Sequence, residues 1–318
     1  MPSPHLNIII KEALLMDKDI KLNNTDWRNA TGPIDYNMTN DYMFRMVLQS
    51  SKKVLKGLIS SMMHIPTNDI NSVEILNPIE PGKSIDGKTH VLDIKVKLND
   101  SSIINLEMQV LNEHNWTNRS LCYLCRIFDN VQKGEDYNSA IKVTHIGFLD
   151  FDLFQNDNEF YSKYMLLNVK SHRIYNDKFC LNVLSLNRIE NATDEDKKWD
   201  IDTWTKLFKA TTWEGLKMIA EKNDVYSEMA DSMYYQNSDE TIRDMCEARR
   251  EAEFHEKYVQ QRLKELEEAK REAEVHEKYV QQQLKELEKL KQLTKDKDAT
   301  IQDLTSRIKE LEAQLKQN

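Results

Sequence analysis

Residues Val91–Val110 read VLDIKVKLNDSSIINLEMQV. Leu92, Ile94, Val96 and Leu98 alternate with Asp93, Lys95 and Lys97. After Asn99, Asp100 and Ser101, Ile104, Leu106, Met108 and Val110 alternate with Asn105, Glu107 and Gln109. Alternation of period two marks a strand with one buried face. A three-residue loop between the runs pairs Leu98 with Ser102. Counting back from that pair sets Asp93 opposite Glu107 and Lys95 opposite Asn105. Both apolar sets then fall on one face, the condition that fixes register. The other face gathers Asp93, Lys95, Glu107 and Gln109.

Like charges directly opposite on a sheet are unfavourable unless they are solvated or share a cation. Two carboxylates among main-chain carbonyls and waters suit Mg²⁺, a hard ion that prefers oxygen ligands. Such an ion activates water and stabilises charge on a phosphate during hydrolysis. On pattern alone the ordinary reading is a solvated face, since polar-out alternation is common in antiparallel sheets.

Outward from the hairpin, TNDYMFRMVLQSSKKVLKGLISSMMHI has helical spacing, with Thr39 or Asn40 as N-cap. SVEILNPI reads as a strand before the hairpin. NRSLCYLCRIFDNVQKG reads as an amphipathic helix closed by Gly134, and IKVTHIGFLDF, YMLLNV and KFCLNVLSL as further strands. Helices take over from about Lys198. All six prolines lie at or before Pro81 and the last glycine is Gly215, so the C-terminal stretch lacks both strong helix breakers. That stretch contains a duplication: REAEFHEKYVQQRLKELEEAK begins at Arg250 and REAEVHEKYVQQQLKELEKLK begins 21 residues later at Arg271. Three whole heptads separate the copies, so one helical face stays in register. With Met245 at position a, Val259, Leu266, Val280, Leu287, Ile301 and Ile308 keep the a seam. The d seam carries His255, Arg262, His276 and Gln283 before Leu290, Leu304 and Leu311 restore it. This is a coiled-coil pattern of about 100 Å, implying self-association as a dimer or higher oligomer.

The expected organisation is a weakly ordered segment over 1–38, an α/β core over 39–190, a helical subdomain over 191–240 and a coiled coil over 241–318. The 318 residues carry a net charge of −9, which argues against a partner held by bulk positive charge, although local patches such as Lys52, Lys53 and Lys56 or Lys170, His172 and Arg173 decide contact. Four scattered cysteines form no disulfide framework and point to a reducing compartment. The apolar run Leu6–Ile10 is cut short by Lys11 and is too brief for a signal-peptide core, and no run is long enough to span a membrane. The expectation is a cytoplasmic protein.

From Asp41 to about Arg249 the chain resembles the PD-(D/E)XK nuclease family transposases, also called Rpn-type recombination-promoting nucleases. Six stretches carry the resemblance: NDYMFRMVL as the family's N-terminal helix, HVLDIKVKL followed by INLEMQV as its Asp…Glu-x-Gln core, NRSLCYLCRIFDNVQKGEDY as its Arg-bearing helix, and WTKLFKATTWEGLKMIAEKN with IRDMCEARRE as its C-terminal helical signature. The resemblance implies a restriction-endonuclease-like fold, a mixed sheet flanked by helices, and DNA cleavage dependent on Mg²⁺ or Mn²⁺. It implies that Asp93 and Glu107 ligate the metal. Gln109 stands where the broader superfamily usually has Lys, and a neutral amide cannot stabilise developing negative charge as an ammonium does. Lys95, on the same face, is the residue able to supply that charge; alternatively it is a surface lysine paired with a carboxylate. The rival reading is a catalytically inactive nuclease fold serving as an interaction head on a helical rod.

On the helix after the hairpin, Arg119, Tyr123 and Arg126 share one face, and Leu121, Leu124, Phe128 and Val131 the other. Arg119 and Tyr123 are candidate DNA contacts, and Arg119 is equally suited to orient Glu107. Asp41 is a further candidate acid, or simply a helix N-terminal carboxylate. Cys122 and Cys125 have zinc-like spacing without a second ligand pair and read as buried thiols. Trp199, Trp204 and Trp213 read as packing residues of the helical subdomain.

Overall fold

A computed structural model describes residues 26–80, 90–91, 93–129, 131, 133–154 and 158–315. The hairpin forms with the expected register: strand β4 (Ile94–Leu98) lies antiparallel to β5 (Ile103–Gln109), with Ile94 opposite Leu106 and Lys95 opposite Asn105. Its loop is closed by Leu98 N donating to Ser102 O and Ser101 N donating to Leu98 O, both at 2.9 Å. Ser101 takes the left-handed conformation (φ 66°) that a three-residue hairpin loop requires at its last position. Asp100 Oδ1 secures the turn by accepting from Ser102 N and Oγ. Leu92 lies outside the described residues.

Around this hairpin the sheet extends both ways. β1 (Val73–Leu76) pairs antiparallel with β4, while β2 (Ile79–Glu80) and β3 (His90–Val91) form a separate small ladder. On the other side β5 runs parallel to β6 (Val143–Leu149), and β6 runs parallel to β8 (Ile174–Ser185), which pairs antiparallel with β7 (Tyr161–Leu167). The six-stranded order is therefore β1-β4-β5-β6-β8-β7, a mixed sheet. The helices are α1 (Asp41–Ser50), α2 (Lys52–Met63), α3 (Trp116–Phe128), α4 (Asp194–Lys198), α5 (Ile201–Phe208), α6 (Trp213–Ala220), α7 (Asp224–Ser238) and α8 (Glu240–Leu315). The α/β class with helices flanking a mixed sheet follows the expectation.

The two sheet faces are built differently. Ile104, Leu106, Met108, Ile146, Phe148 and Leu184 share one buried cluster with residues of α1, α2, α5 and α7, centred on Phe44, Phe148 and Phe208. Phe44 lies 5.3 Å from Phe148 and 5.9 Å from Phe208, centroid to centroid. Trp204 and Trp213 are buried in the same cluster and Trp199 packs against it. The opposite face is covered by α3, through one cluster at Ile103, Tyr123, Leu124, Ile127 and Val143 and another at Trp116, Leu149 and Val183. Gly147 makes this cover possible: a Cβ there would stand 2.1 Å from the Trp116 ring.

Several local expectations change. The first helical stretch breaks at Ser51, whose extended backbone ends α1 and whose Oγ caps α2 by accepting from Val54 N. Asn40, not Thr39, caps α1. Helix α3 ends at Phe128 and not at Gly134, which instead turns the chain beyond it with φ 92°. Its buried face is Trp116, Ser120, Tyr123, Leu124 and Ile127, so Leu121 is exposed, and Cys122 and Cys125 are exposed thiols, not buried ones. The rotation has an electrostatic origin, described below. Of the segment expected to be weakly ordered, residues 1–25, including the Leu6–Ile10 run, lie outside the described residues, while Trp27, Ile34 and Met38 are buried in the core.

The chain divides into two compact units, one ending at Glu253 and the other beginning at Phe254. The second unit is helical, and its large apolar residues, among them Val259, Leu266, Val280, Leu287, Leu304 and Leu311, are exposed. No helix among the described residues is long and apolar enough to cross a membrane.

Candidate active site

The polar face of β5 is not solvated. Glu107 is 1 % exposed, and Asn105 and Gln109 are buried with it. Helix α3 encloses them, and it does so by turning Arg119 inward: Arg119 Nη2 lies 2.9 Å from Glu107 Oε1, while Nη1 lies 3.7 Å from Glu113. A buried carboxylate demands a counter-charge, because an unpaired ion in a low-dielectric interior costs several kcal/mol. That demand rotates α3 relative to a simple apolar stripe. Tyr123, one turn on from Arg119, is carried inward as well, with the guanidinium 5.4 Å from its ring. It is buried in the wall of the site, not presented at the surface as a DNA contact would be.

Asp93 precedes β4, and its carboxylate bends toward the end of β5, where Oδ2 accepts from Met108 N at 2.9 Å. Its neighbour in charge is Asp41, the first residue of α1, whose field raises the Asp93 pKa, while Arg45 and Arg119 lower it. Asp41 is in turn held by Arg249 near the start of α8, which donates from Nε at 2.8 Å and also from Nη2. Lys95 lies beside Asn105 on the same face as Glu107. Gln109 Nε2 donates to Leu111 O at 2.9 Å, and its Oε1 is buried without a hydrogen bond among the described residues.

Both Glu107 oxygens are also buried without a well-formed hydrogen bond, even with Arg119 beside them. Burial pushes the Glu107 carboxyl up to about 8; Arg119 opposes the rise and Asp93 adds to it. Asp93 is likewise raised, first by burial and then by Asp41. Arg119 stays firmly cationic against its own desolvation because Glu107 faces it. The donor set is thus all oxygen: Asp93, the Glu107 carboxyl and Gln109 Oε1. That chemistry fits a hard divalent cation. Among the described residues no three His, Cys, Asp or Glu side chains gather into one metal cluster, so such an ion would complete its shell from amide or main-chain oxygens and water.

Sequence reasoning missed three residues. Arg249 gave no local signal, standing 208 positions from Asp41. Arg45 stood within a helix read only for its apolar face. His145 sits amid the apolar run of β6, where parity with Val143 and Leu149 was the one clue to its face. It is fully buried opposite Asn105, whose Nδ2 lies 2.7 Å from His145 Nδ1, and its Nε2 is 3.6 Å from Glu107 Oε2. Burial pushes its pKa down to about 3, helped by Arg119, so the ring is neutral near physiological pH.

One comparison with known proteins bears on these residues. The family model described as PD-(D/E)XK nuclease family transposase matches residues 38–262, a span that holds Asp41, Asp93, Glu107, Gln109, Arg119 and Arg249. No curated protein and no solved structure matches the chain.

The raised Glu107 value has a consequence for the metal-free protein. A carboxyl with a folded-state pKa above its unfolded value holds its proton more tightly when folded. Its favourable contribution is complete below the ordinary value of 4.5 and is lost as pH rises toward about 8. The urea midpoint of metal-free protein should therefore fall between pH 5 and pH 8, and Glu107→Gln should flatten that slope. A slope unchanged by the substitution would contradict the assignment.

Proposed function

The chain belongs to the PD-(D/E)XK nuclease family transposases, and on that premise we propose that it is a metal-dependent DNA endonuclease that hydrolyses a phosphodiester bond. The observation that carries the reading is the neighbouring pair Asp93 and Glu107, Asp93 bound to the amide of Met108 next to Glu107 and the Glu107 carboxyl buried with Arg119 as its cation. Asp93 and Glu107 would hold Mg²⁺ or Mn²⁺. When bound, such an ion supplies an activated water and stabilises charge on the phosphate. Asp93 is fixed for this by the Met108 amide, and Arg119 orients Glu107 from its Oε1 side. Gln109, anchored through its amide nitrogen to Leu111 O, presents Oε1 to orient water. Lys95 supplies the cationic charge that Gln109 lacks. Arg119, one-third exposed and shared between Glu107 and Glu113, is the cation available to meet a phosphate. Asp41 tunes the site by its charge on Asp93 and is restrained by Arg249. A cytoplasmic setting suits free thiols, two of them exposed.

A second reading is supported by the ion pair itself: with Arg119 on Glu107 and an amide at Gln109, the nuclease fold would serve as a non-catalytic interaction head. Nicking of supercoiled plasmid separates the two. Wild-type protein should nick with Mg²⁺ or Mn²⁺ and not with chelator. Asp93→Asn and Glu107→Gln, which preserve buried volume, should each lose about 100-fold or more, at least the loss seen when a group that only orients a metal ligand is removed. Wild-type rates in both variants would place the chemistry elsewhere, and an inert wild type that folds and binds DNA would favour the interaction head.

We further propose that α8 pairs with a second copy as a coiled coil, a dimer or higher oligomer suited to cutting two strands. The support is the heptad frame kept by the duplication and the exposed stripe of Leu287, Leu290, Ile301, Leu304, Ile308 and Leu311. A lone helix leaves that stripe in water, and pairing buries it. The polar d positions His255, Arg262, His276 and Gln283 weaken the repeat, so association energy concentrates beyond Leu287. Truncation after Lys285 should shift the protein to monomer in light scattering. Deletion of residues 250–270 should leave it oligomeric, because Arg271 then takes the place of Arg250 in an unchanged frame. A truncated protein that stays fully dimeric would sink the assignment.

A further inference from the structure

His145 is used by none of the steps above, yet its ring stands beside the Glu107 carboxylate, and it is fully buried on β6. Asn105 Nδ2 donates to its Nδ1 at 2.7 Å. A ring nitrogen that accepts a hydrogen bond carries no proton, so the neutral imidazole bears its proton on Nε2. Nε2 lies 3.6 Å from Glu107 Oε2 and has no hydrogen-bond partner among the described residues. Trp116 at 5.4 Å and Tyr123 at 6.2 Å flank the ring and hold its plane. The two carboxylate oxygens of Glu107 are thus faced from different elements, Oε1 by Arg119 of α3 and Oε2 by His145 of β6. With one nitrogen accepting from Asn105 and the other protonated, His145 in this arrangement offers a donor to Glu107 and no lone pair to a cation.

We propose that His145 is a positioning residue for the divalent-metal site, its Nε2–H, fixed in tautomer by Asn105, orienting the ionised Glu107 carboxylate for the cation. This rests on the reading of Asp93 and Glu107 as metal ligands. Groups that hydrogen-bond a metal-ligating carboxylate typically change metal affinity by about 10- to 100-fold when removed.

The two amide residues separate the roles of the two nitrogens. His145→Gln places its amide N–H near the Nε2 position and keeps a donor for Glu107. His145→Asn reaches only the Nδ1 position and leaves Glu107 without one. Mn²⁺ binding, followed by electron paramagnetic resonance on the full chain, gives a readout independent of DNA cleavage, with Asp93→Asn as the control that reports the site. His145→Asn should weaken Mn²⁺ binding by about 10- to 100-fold. His145→Gln should recover most of that loss, and both should share a similar urea midpoint. If His145→Asn does not fold, His145→Leu, which fills the space without a donor, takes its place with the same expected loss. Wild-type protein that binds no Mn²⁺, or binds it no better than Asp93→Asn, overturns the metal site and this inference together. Wild-type binding sensitive to Asp93→Asn, with the donorless variant binding as well as wild type or with His145→Gln no better than that variant, overturns the inference alone.

Discussion

The Glu107 carboxylate is almost fully withdrawn from water, and the arrangement around it answers to that one fact. A charge so placed needs a partner close by, and removing one member of a buried pair typically costs about 3–5 kcal/mol. Arg119 is that partner at 2.9 Å. Because Arg119 must face the sheet, α3 cannot present a purely apolar stripe. Tyr123 turns inward one helical turn later, and Trp116 turns inward almost one turn earlier, filling the space that Gly147 leaves on β6. Leu121, Cys122 and Cys125 are the residues turned outward in exchange.

The charged and polar groups around the site come from elements far apart in sequence. The hairpin contributes Asp93 and Glu107, α1 contributes Asp41 and Arg45, α3 contributes Arg119, β6 contributes His145 and the first turns of α8 contribute Arg249. Those first turns of α8 are tied down by several contacts besides Arg249. Tyr36 Oη donates to Glu247 Oε2 at 2.5 Å, Asn40 Nδ2 donates to Cys246 O at 3.0 Å, and Ile242 and Cys246 are buried. The helix that carries the heptad pattern therefore begins as a working part of the site's surroundings, through Arg249 on Asp41 and Asp41 on Asp93.

The hairpin was legible because two strict alternations and a short loop leave one register compatible with a single buried face, and the structure keeps that register through Ile94–Leu106 and Lys95–Asn105. The same rule could not say that the polar face is buried too. Alternation distinguishes the faces of a strand, and a face of Asn, Glu and Gln looks alike whether water or a helix covers it. What covers it is an arginine ten or more positions away, and the apolar residues of α3 give no warning that a cation shares their side. Likewise, Ser51 ends a helix inside a stretch whose apolar spacing continues through it, because a serine that caps the next helix competes with the continuing backbone. His145 and Arg249 act through tertiary contacts alone, across 40 and 208 positions, and no local pattern encodes such separations.

The central proposal is that Asp93 and Glu107 together hold a divalent cation; because burial raises both carboxyls, binding would displace a proton from the pair. Counting protons as the cation binds tests it most directly. In calorimetric titration of Mn²⁺ into metal-free protein at pH 7, run in two buffers of different ionisation enthalpy, the observed heats should differ by the heat of proton uptake by buffer. Proton release should shrink as pH rises through the raised range of the pair. Binding at pH 7 with the same heat in both buffers, or affinity that does not change between pH 6 and pH 8, would contradict it.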